Sequence, residues 1–333
     1  MFKGDITQGQ IIKIHSDFYY VEANGKLFEC KLREVIKKQQ ANVFVGDYVE
    51  FSNGYITSIL ARKNYIKRPA VANIDQIVIV SAVEEPHLDL HQLDRYIAFA
   101  EYYGIDIKLC FNKNDLSMND STIENVFSIY EPMGYDIIFT SALEGFGIDD
   151  FKEIMQNKTS VLCGASGVGK SSLLNAINSN IKLKTGSVSD KTGRGTHTTR
   201  HCEIINLSEN TRIIDTPGFS NLKFDFIMPH DLAKLFREMR SLIRECKFQD
   251  CLHLLESGCA IKENENISQS RYDSYAEFVK EAKEYKEKVK FQGKKKETFS
   301  KQNNNKTTVK ISSRKRAVSR NTMKQRLKDE EET

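Results

Sequence analysis

The stretch Gly164-Ala165-Ser166-Gly167-Val168-Gly169-Lys170-Ser171 reads G-x-x-x-x-G-K-S, a loop that works only between a strand and a helix. Its backbone N–H groups curl around a phosphate at a helix N-terminus, and its glycines permit positive φ and close approach. The flanks agree: a short strand over 160–163 precedes the loop and a helical stretch over 171–178 follows it. The loop therefore requires an α/β sheet with its ligand at the C-terminal strand ends. Lys170 is expected at the β- and γ-phosphates, with Ser172 among the phosphate-binding residues. The Ser171 hydroxyl is expected on Mg²⁺, and Asp215 of Asp215-Thr216-Pro217-Gly218 holds that ion through water. Gly218 joins the nucleotide contacts.

A base-reading motif comes before this loop. Asn112-Lys113-Asn114-Asp115 matches N-K-x-D, and Ser141-Ala142 follows the next strand. Asp115 can accept from guanine N1–H and the 2-amino group; adenine lacks both donors and would leave a buried carboxylate unpaired. Asn112 is expected on the N7/O6 edge and the Ala142 N–H on O6. The Lys113 stem covers the purine or braces the phosphate loop. In an ordinary GTPase the order is phosphate loop, D-x-x-G, N-K-x-D, S-A. Here the list is rotated, so the pattern predicts a circularly permuted P-loop GTPase domain for GTP and GDP.

Strand and helix signals alternate through this region. Residues 74–83 form an Ile/Val-rich run, as in a strand covered on both faces. Residues 90–103 read as a helix with Leu93, Ile97 and Ala100 on one stripe. Strands over 107–111, 136–140, 201–207 and 211–214 and helices over 122–130 and 149–155 complete a doubly wound sheet.

Gly193 to Arg200 lies where a first switch belongs, between phosphate loop and D-x-x-G. Thr198 and Thr199 are both candidates to complete Mg²⁺ coordination, with Thr199 preferred. A Gln that orients the attacking water would follow Gly218, but Phe219 stands there and cannot do so. His197 is the nearest suitable residue. Phe219 also keeps open a second reading: a non-enzymatic scaffold that binds RNA and senses guanine nucleotide. A signalling GTPase acting on a protein partner is a third.

The flanks differ in kind. Five short strand signals over 8–60, with the hairpin turn Asn24-Gly25, fit a small β-barrel, best an OB-fold. Beyond Phe219 the strand signals stop; Asp231 to Glu245 reads as one helix and 273–289 as a long charged one. Between them Cys246, Cys251, His253 and Cys259 form C-x4-C-x-H-x5-C, the ligand set of a closed, tetrahedral structural Zn²⁺ site with no open position for catalysis. From Lys294 to Lys328 about a dozen Lys and Arg face a single Glu297, a charge density typical of nucleic-acid arms, in a stretch expected to be disordered alone. No apolar run is long enough to span a bilayer, and the start lacks a signal-peptide core, so a cytosolic, monomeric protein without membrane contact is expected. The boundaries read as 1–65 barrel, 66–225 GTPase, 226–292 helical zinc module and 293–333 basic tail.

Together these parts resemble the ribosome small-subunit-dependent GTPase family, RsgA, also called YjeQ. The resemblance rests on Val45-Gly46-Asp47, Asn73-Ile74-Asp75-Gln76, Leu93-Asp94-Arg95-Tyr96, the rotated motifs, the zinc spacing and Arg271-Tyr272. It implies an N-terminal OB-fold, a permuted GTPase domain and a C-terminal zinc domain. It also implies binding to the 30S subunit and its 16S rRNA late in maturation, with hydrolysis stimulated by the subunit, and it maps the family's catalytic histidine onto His197. Two prolines usual in the family are absent, at Arg237 and Ser257. His197→Ala is expected to lower GTP turnover while leaving nucleotide affinity nearly unchanged; equal turnover of variant and wild type would remove His197 from the mechanism.

Overall fold

The N-terminal strands close on themselves because one of them has two partners. In the computed structural model, which describes residues 6–38, 42–117, 120–178, 202–215, 222, 224, 227–292, 300–303 and 306–309, β1 (Thr7–His15) pairs with β2 (Phe18–Ala23) and with β4 (Tyr48–Ser52). β3 (Lys26–Leu32) pairs antiparallel with β2 and parallel with β5 (Tyr55–Ile59), and β4 pairs with β5, closing a five-stranded barrel. The β2–β3 turn uses Asn24 and Gly25 at φ 51° and 69°, the positive pair that such a two-residue turn needs. Ile11, Val21, Cys30, Val49, Phe51 and Ile56 fill the interior. A short helix α1 (Glu34–Lys38) follows β3.

A small ribbon of β6 (Tyr65–Ile66) and β7 (Val71–Ala72) leads out of the barrel. Asp47, fully buried, accepts from Arg62 and from the Phe44 amide at the base of this ribbon. Gly46 permits the close approach there: a Cβ would sit 2.1 Å from the Ala72 carbonyl oxygen.

The next strands are β8 (Gln76–Ala82), β9 (Asp106–Asn112), β10 (Asp136–Phe139), β11 (Thr159–Cys163), β12 (Glu203–Asn206) and β13 (Arg212–Asp215). Their order is β10-β9-β8-β11-β13-β12, parallel except for β12. The continuous apolar run of β8 has its reason here. Ile77 and Ile79 pack into the core containing α2 (Leu90–Tyr103) and α3 (Asp120–Tyr130). Val78 and Val80 pack into the opposite core with α4 (Ile148–Met155) and α5 (Lys170–Ile177). The two sheets are continuous, because β1 also pairs with β12 at Lys13 and Glu203. Arg212 reinforces that seam from β13 through Gln10 and Glu22 of the barrel.

The segment read as one helix from Asp231 to Glu245 is instead three 3-10 pieces: Pro229–Leu235, Arg237–Met239 and Leu242–Glu245. Leu232, Leu235, Phe236 and Met239 have helical spacing and are all buried, which explains the expectation. Tertiary contacts override it. Phe236 is extended, at φ −106° and ψ 109°. Arg237 then reaches Glu101 and the carbonyls of Met133 and Gly134, and Arg240 takes the Lys234 carbonyl and Glu101. A long helix, α6 (Gln269–Gln292), supplies Tyr275, Phe278, Val279 and Ala282 to the same core.

One buried charge joins this core to the GTPase sheet. Arg271, 1% exposed, binds Asp94 at 2.6 Å and Glu238 at 2.8 Å, and Tyr130 donates to the same Asp94 oxygen. Burial works against the charge on Arg271, but the two carboxylates outweigh it and push its pKa up. Residues 1–282 form one compact unit and residues 283–333 a second. Within the stretch of the second unit beyond Phe291, expected to be disordered alone, β14 (Ser300–Asn303) pairs antiparallel with β15 (Lys306–Val309), where Thr307, Thr308 and Val309 are strand formers. Among the described residues no helix is long and apolar enough to cross a membrane. Asp94→Ala leaves Arg271 with half its buried partners and should destabilise the 1–282 unit by about 3 kcal/mol, read as a lower urea midpoint.

Candidate functional site

Parallel register sets the loops side by side. β11 runs between β8 and β13, so the phosphate loop that follows Cys163 emerges between Val83, beyond β8, and Asp215, at the end of β13. The loop itself needs its glycines. Gly164 lies at φ 145°, where a Cβ would meet the Val80 carbonyl oxygen at 2.0 Å. Gly169 lies at φ 95° and caps α5, and a Cβ there would stand 2.2 Å from Asn112 Nδ2.

That contact identifies the central side chain. Asn112, 1% exposed at the end of β9, donates through Nδ2 to the Val168 carbonyl at 2.8 Å. Its Oδ1 accepts from the Thr140 hydroxyl at 3.2 Å and from the Ala142 N–H at 3.1 Å. One carboxamide thus joins the phosphate loop, the N-K-x-D strand and the Ser141-Ala142 turn. Sequence reasoning gave Asn112 and Ala142 to the purine edge. In the structure the Ala142 N–H meets Asn112, and Asn112 keeps one amide hydrogen beyond the bond to Val168. Thr140 and the Val168 carbonyl were not foreseen as partners; no local pattern marks them.

Asp115 is held in place by Ser141, whose Oγ donates to Asp115 Oδ1 at 2.5 Å and accepts from the Glu144 N–H at 3.0 Å. Its carboxylate therefore keeps acceptor capacity for two donors on one base edge. Lys113 adopts a left-handed backbone at φ 62° and donates from Nζ to the Glu85 carbonyl, which ties the base loop to the turn before α2. Lys170 donates from Nζ to the carbonyls of Gly164 and Ala165 at 2.9 and 2.8 Å. It already points across the loop in which a phosphate would lie. Ala165, Ser166 and Gly167 form the rim, and Ser171 and Ser172 occupy the first turn of α5, half buried. Gly218 and the first-switch residues His197, Thr198 and Thr199 lie outside the described residues, as does the side chain of Asp215. Cys110 and Cys163 lie buried in β9 and β11, on either side of β8; burial pushes the Cys110 thiol up to about 12, which disfavours the reactive thiolate.

A second site lies in the C-terminal core. Cys246, Cys251, His253 and Cys259 direct Sγ and ring nitrogen atoms at one another, all within 4.8 Å. Two thiolates on one tetrahedral zinc ion lie about 3.8 Å apart, and an imidazole nitrogen about 3.6 Å from each. Cys246 and Cys259 are 4.0 Å apart, and His253 Nδ1 lies 3.4 and 3.5 Å from them. The donor set therefore fits the ion in type and spacing. Burial pushes the Cys251 thiol up to about 12 and raises Cys259, so a cation is what would make thiolates here favourable. An outer layer fixes the loop. The His253 N–H donates to Cys251 Sγ, Tyr272 donates to the His253 carbonyl, and Tyr275 donates to that of Leu252. Glu256 accepts from the amides of Leu252, Leu254 and Leu255, which keep its carboxyl at about 2 despite the opposing effect of burial.

A family model described as RsgA GTPase matches residues 59–225, and one described as RsgA N-terminal domain matches 8–56. A model described as 50S ribosome-binding GTPase matches 159–296, a stretch that begins at the phosphate-loop strand. A small ribosomal subunit biogenesis GTPase RsgA from Alkaliphilus metalliredigens is 40% identical over 288 residues, covering 84% of this chain and 98% of its own. The same-named protein of Geobacillus sp. (strain WCH70) is 40% identical over 291 residues, with 84% and 99% covered. Among solved structures, YjeQ from Thermotoga maritima superposes with a TM-score of 0.74 at 34% identity, covering 84% of this chain and 99% of that one. YloQ, described as a circularly permuted GTPase, gives 0.69 at 35% identity, with 84% and 96% covered. Gly169→Ala puts a methyl group against Asn112 in a backbone conformation that favours glycine, and should weaken GDP binding by about a hundredfold or more in calorimetry, with zinc content unchanged.

Proposed function

The chain belongs to the RsgA GTPase family, and from that premise we propose how its residues serve a GTP-hydrolysing enzyme of small ribosomal subunit biogenesis. Asp115, steadied by Ser141, reads the guanine N1–H and 2-amino edge. The free amide hydrogen of Asn112 points at N7, and the aliphatic stem of Lys113 covers one purine face. The N–H groups of the loop from Gly164 to Ser172 hold the β-phosphate at the start of α5. Lys170 exchanges its two loop carbonyls for phosphate oxygens, a donor–acceptor change that needs no rearrangement of its backbone.

Ser171 and Asp215, with Thr199 or Thr198, would hold Mg²⁺, which offsets charge on the β- and γ-oxygens when bound. Gly218 lets its backbone approach the γ-phosphate. His197 orients the attacking water and accepts its proton, the role that Phe219 cannot take. Cys246, Cys251, His253 and Cys259 would hold one structural zinc ion. The barrel, the zinc module and the basic tail make the contacts to the 30S subunit and its 16S rRNA, and the protein works in the cytoplasm as a monomer.

The observation that carries this reading is the Asn112 junction. It assembles the base and phosphate loops in rotated chain order, and relatives named small ribosomal subunit biogenesis GTPase share most of the chain. Small-subunit partnership is favoured over the large subunit because the 50S-named model matches only the stretch from the phosphate loop onward, whereas the RsgA models cover barrel and GTPase sheet. GTP turnover measured with and without purified 30S subunits tests it. Stimulation by 30S and not by 50S subunits is expected; equal turnover in all three conditions would overturn the proposal, and no turnover in any of them would favour the nucleotide-sensing scaffold. Metal analysis of the purified protein should give about one zinc per chain, and chelation should unfold the C-terminal core.

A further inference from the structure

Two residue pairs from the sequence carry no nucleotide chemistry, yet they meet in space: Asp94-Arg95 on α2 and Arg271-Tyr272 on α6. Asp94 is occupied with Arg271. Arg95 does something different. Its guanidinium grips Glu281 of α6 with two bonds, Nη1 to Oε2 at 2.7 Å and Nη2 to Oε1 at 2.8 Å. It also lies over the rings of Phe278 and Phe224, 4.6 and 5.3 Å from their centroids. The Arg95 side chain is 9% exposed and that of Glu281 33%, so neither is a free surface charge.

This pair encloses a third stretch of chain. Arg95 Nη1 donates to the Leu222 carbonyl at 3.2 Å, and the Phe224 N–H donates to Glu281 Oε2 at 3.5 Å. Leu222 stands four positions after Gly218 of D-x-x-G. The two charges therefore hold the chain leaving that loop by both a C=O and an N–H, through the directly bonded Nη1 and Oε2. Arg95 stands on a helix of the GTPase domain; Glu281 stands on the helix that packs the zinc module. Burial opposes the Glu281 charge, but the hydrogen bonds and charge of Arg95 hold its carboxyl below the ordinary range. Helix α2 is also tied to the base loop, because Lys113 is bonded to the turn that precedes it. His91 Nε2 lies 3.2 Å from Arg95 Nη2 and 3.5 Å from Glu277, at the outer edge of the pair.

We propose that Arg95 and Glu281 clamp the chain leaving the D-x-x-G loop, and that this clamp is the positioning element coupling GTP hydrolysis to the zinc module. The inference rests on the proposed GTPase reading and adds to it a specific pair of residues. Neither residue touches nucleotide. Their effect passes through the backbone at Leu222 and Phe224, which a γ-phosphate-dependent movement of D-x-x-G would pull upon. A bidentate, half-dry pair has one preferred geometry, so a pull on its enclosed backbone is passed to α6 rather than absorbed.

The test uses the full-length zinc-loaded protein and the variants Arg95→Gln, Glu281→Gln and the exchange Arg95→Glu with Glu281→Arg. Each single variant should keep its zinc, its KM for GTP and its unstimulated turnover, and should lose about tenfold in the kcat stimulated by 30S subunits. The exchanged pair should recover part of that loss. Unchanged stimulated kcat in both single variants would overturn the clamp, and so would a parallel fall in stimulated and unstimulated turnover, which marks a merely structural pair. Hydrogen exchange supplies a readout free of the subunit. Wild-type peptides covering 222–224 and 269–282 should differ in protection between GDP and a non-hydrolysable GTP analogue, and Glu281→Gln should abolish the difference in 269–282. Equal protection with both nucleotides in the wild type would overturn the clamp. If the wild type is not stimulated by 30S subunits, the proposed function fails, and hydrogen exchange decides the clamp by itself.

Discussion

The nucleotide site depends on one buried carboxamide. Asn112 bonds Val168 in the phosphate loop and both Thr140 and Ala142 at the end of the following strand, and it is almost fully excluded from water. A hydrogen bond inside such a site contributes modestly when made, yet an unpaired partner left behind costs about 1–3 kcal/mol. Removing Asn112 would take a partner from the Val168 carbonyl and the Ala142 amide together and leave the Thr140 hydroxyl only Cys110. That asymmetry is why the base and phosphate loops hold a common geometry even though the chain visits them in rotated order. The glycine at 169 belongs to the same arrangement, because any larger residue would displace the carboxamide.

Rotation also determines what the flanking modules hold. The barrel pairs through β1 with β12, and Arg212 of β13 reaches Gln10 and Glu22 across the same seam. The strand so joined begins at Glu203, shortly after the first-switch sequence, and β13 ends on Asp215. Arg271 and Glu281 fasten the C-terminal core to α2, and that core begins just after D-x-x-G. Each module is therefore attached next to a sequence element read as part of the nucleotide site. In an unrotated chain the D-x-x-G segment would lead directly into β8; here the C-terminal module with its Cys/His cluster takes that place and the barrel enters β8 instead.

The architecture was legible wherever a residue's role is local. The stripe of Leu93, Ile97 and Ala100 marks α2 at its observed ends, and the doubly buried β8 reads as an unbroken apolar run. Asn24-Gly25 announces its turn, and the four zinc-type ligands announce one another by spacing. Legibility ends where one side chain answers to distant backbone. Asn112 and Val168 are 56 positions apart, and no period or propensity links them. The helical spacing of Leu232, Leu235, Phe236 and Met239 is real, but Arg237 and Arg240 bend that segment for contacts with Glu101 that the spacing does not encode. Arg95 and Glu281 are separated by 186 positions; the first stands in a stretch noticed for resemblance and the second among other charges of a long charged helix, and nothing local pairs them.

The loops gathered by Asn112 are expected to form a site selective for guanine. Competition calorimetry of GDP against ADP on the purified chain measures this directly. Asp115 paired with a guanine edge and unpaired against adenine predicts a preference for GDP of about ten-thousandfold, and Asp115→Asn should move that preference toward xanthosine diphosphate. ADP binding within tenfold of GDP would contradict the account.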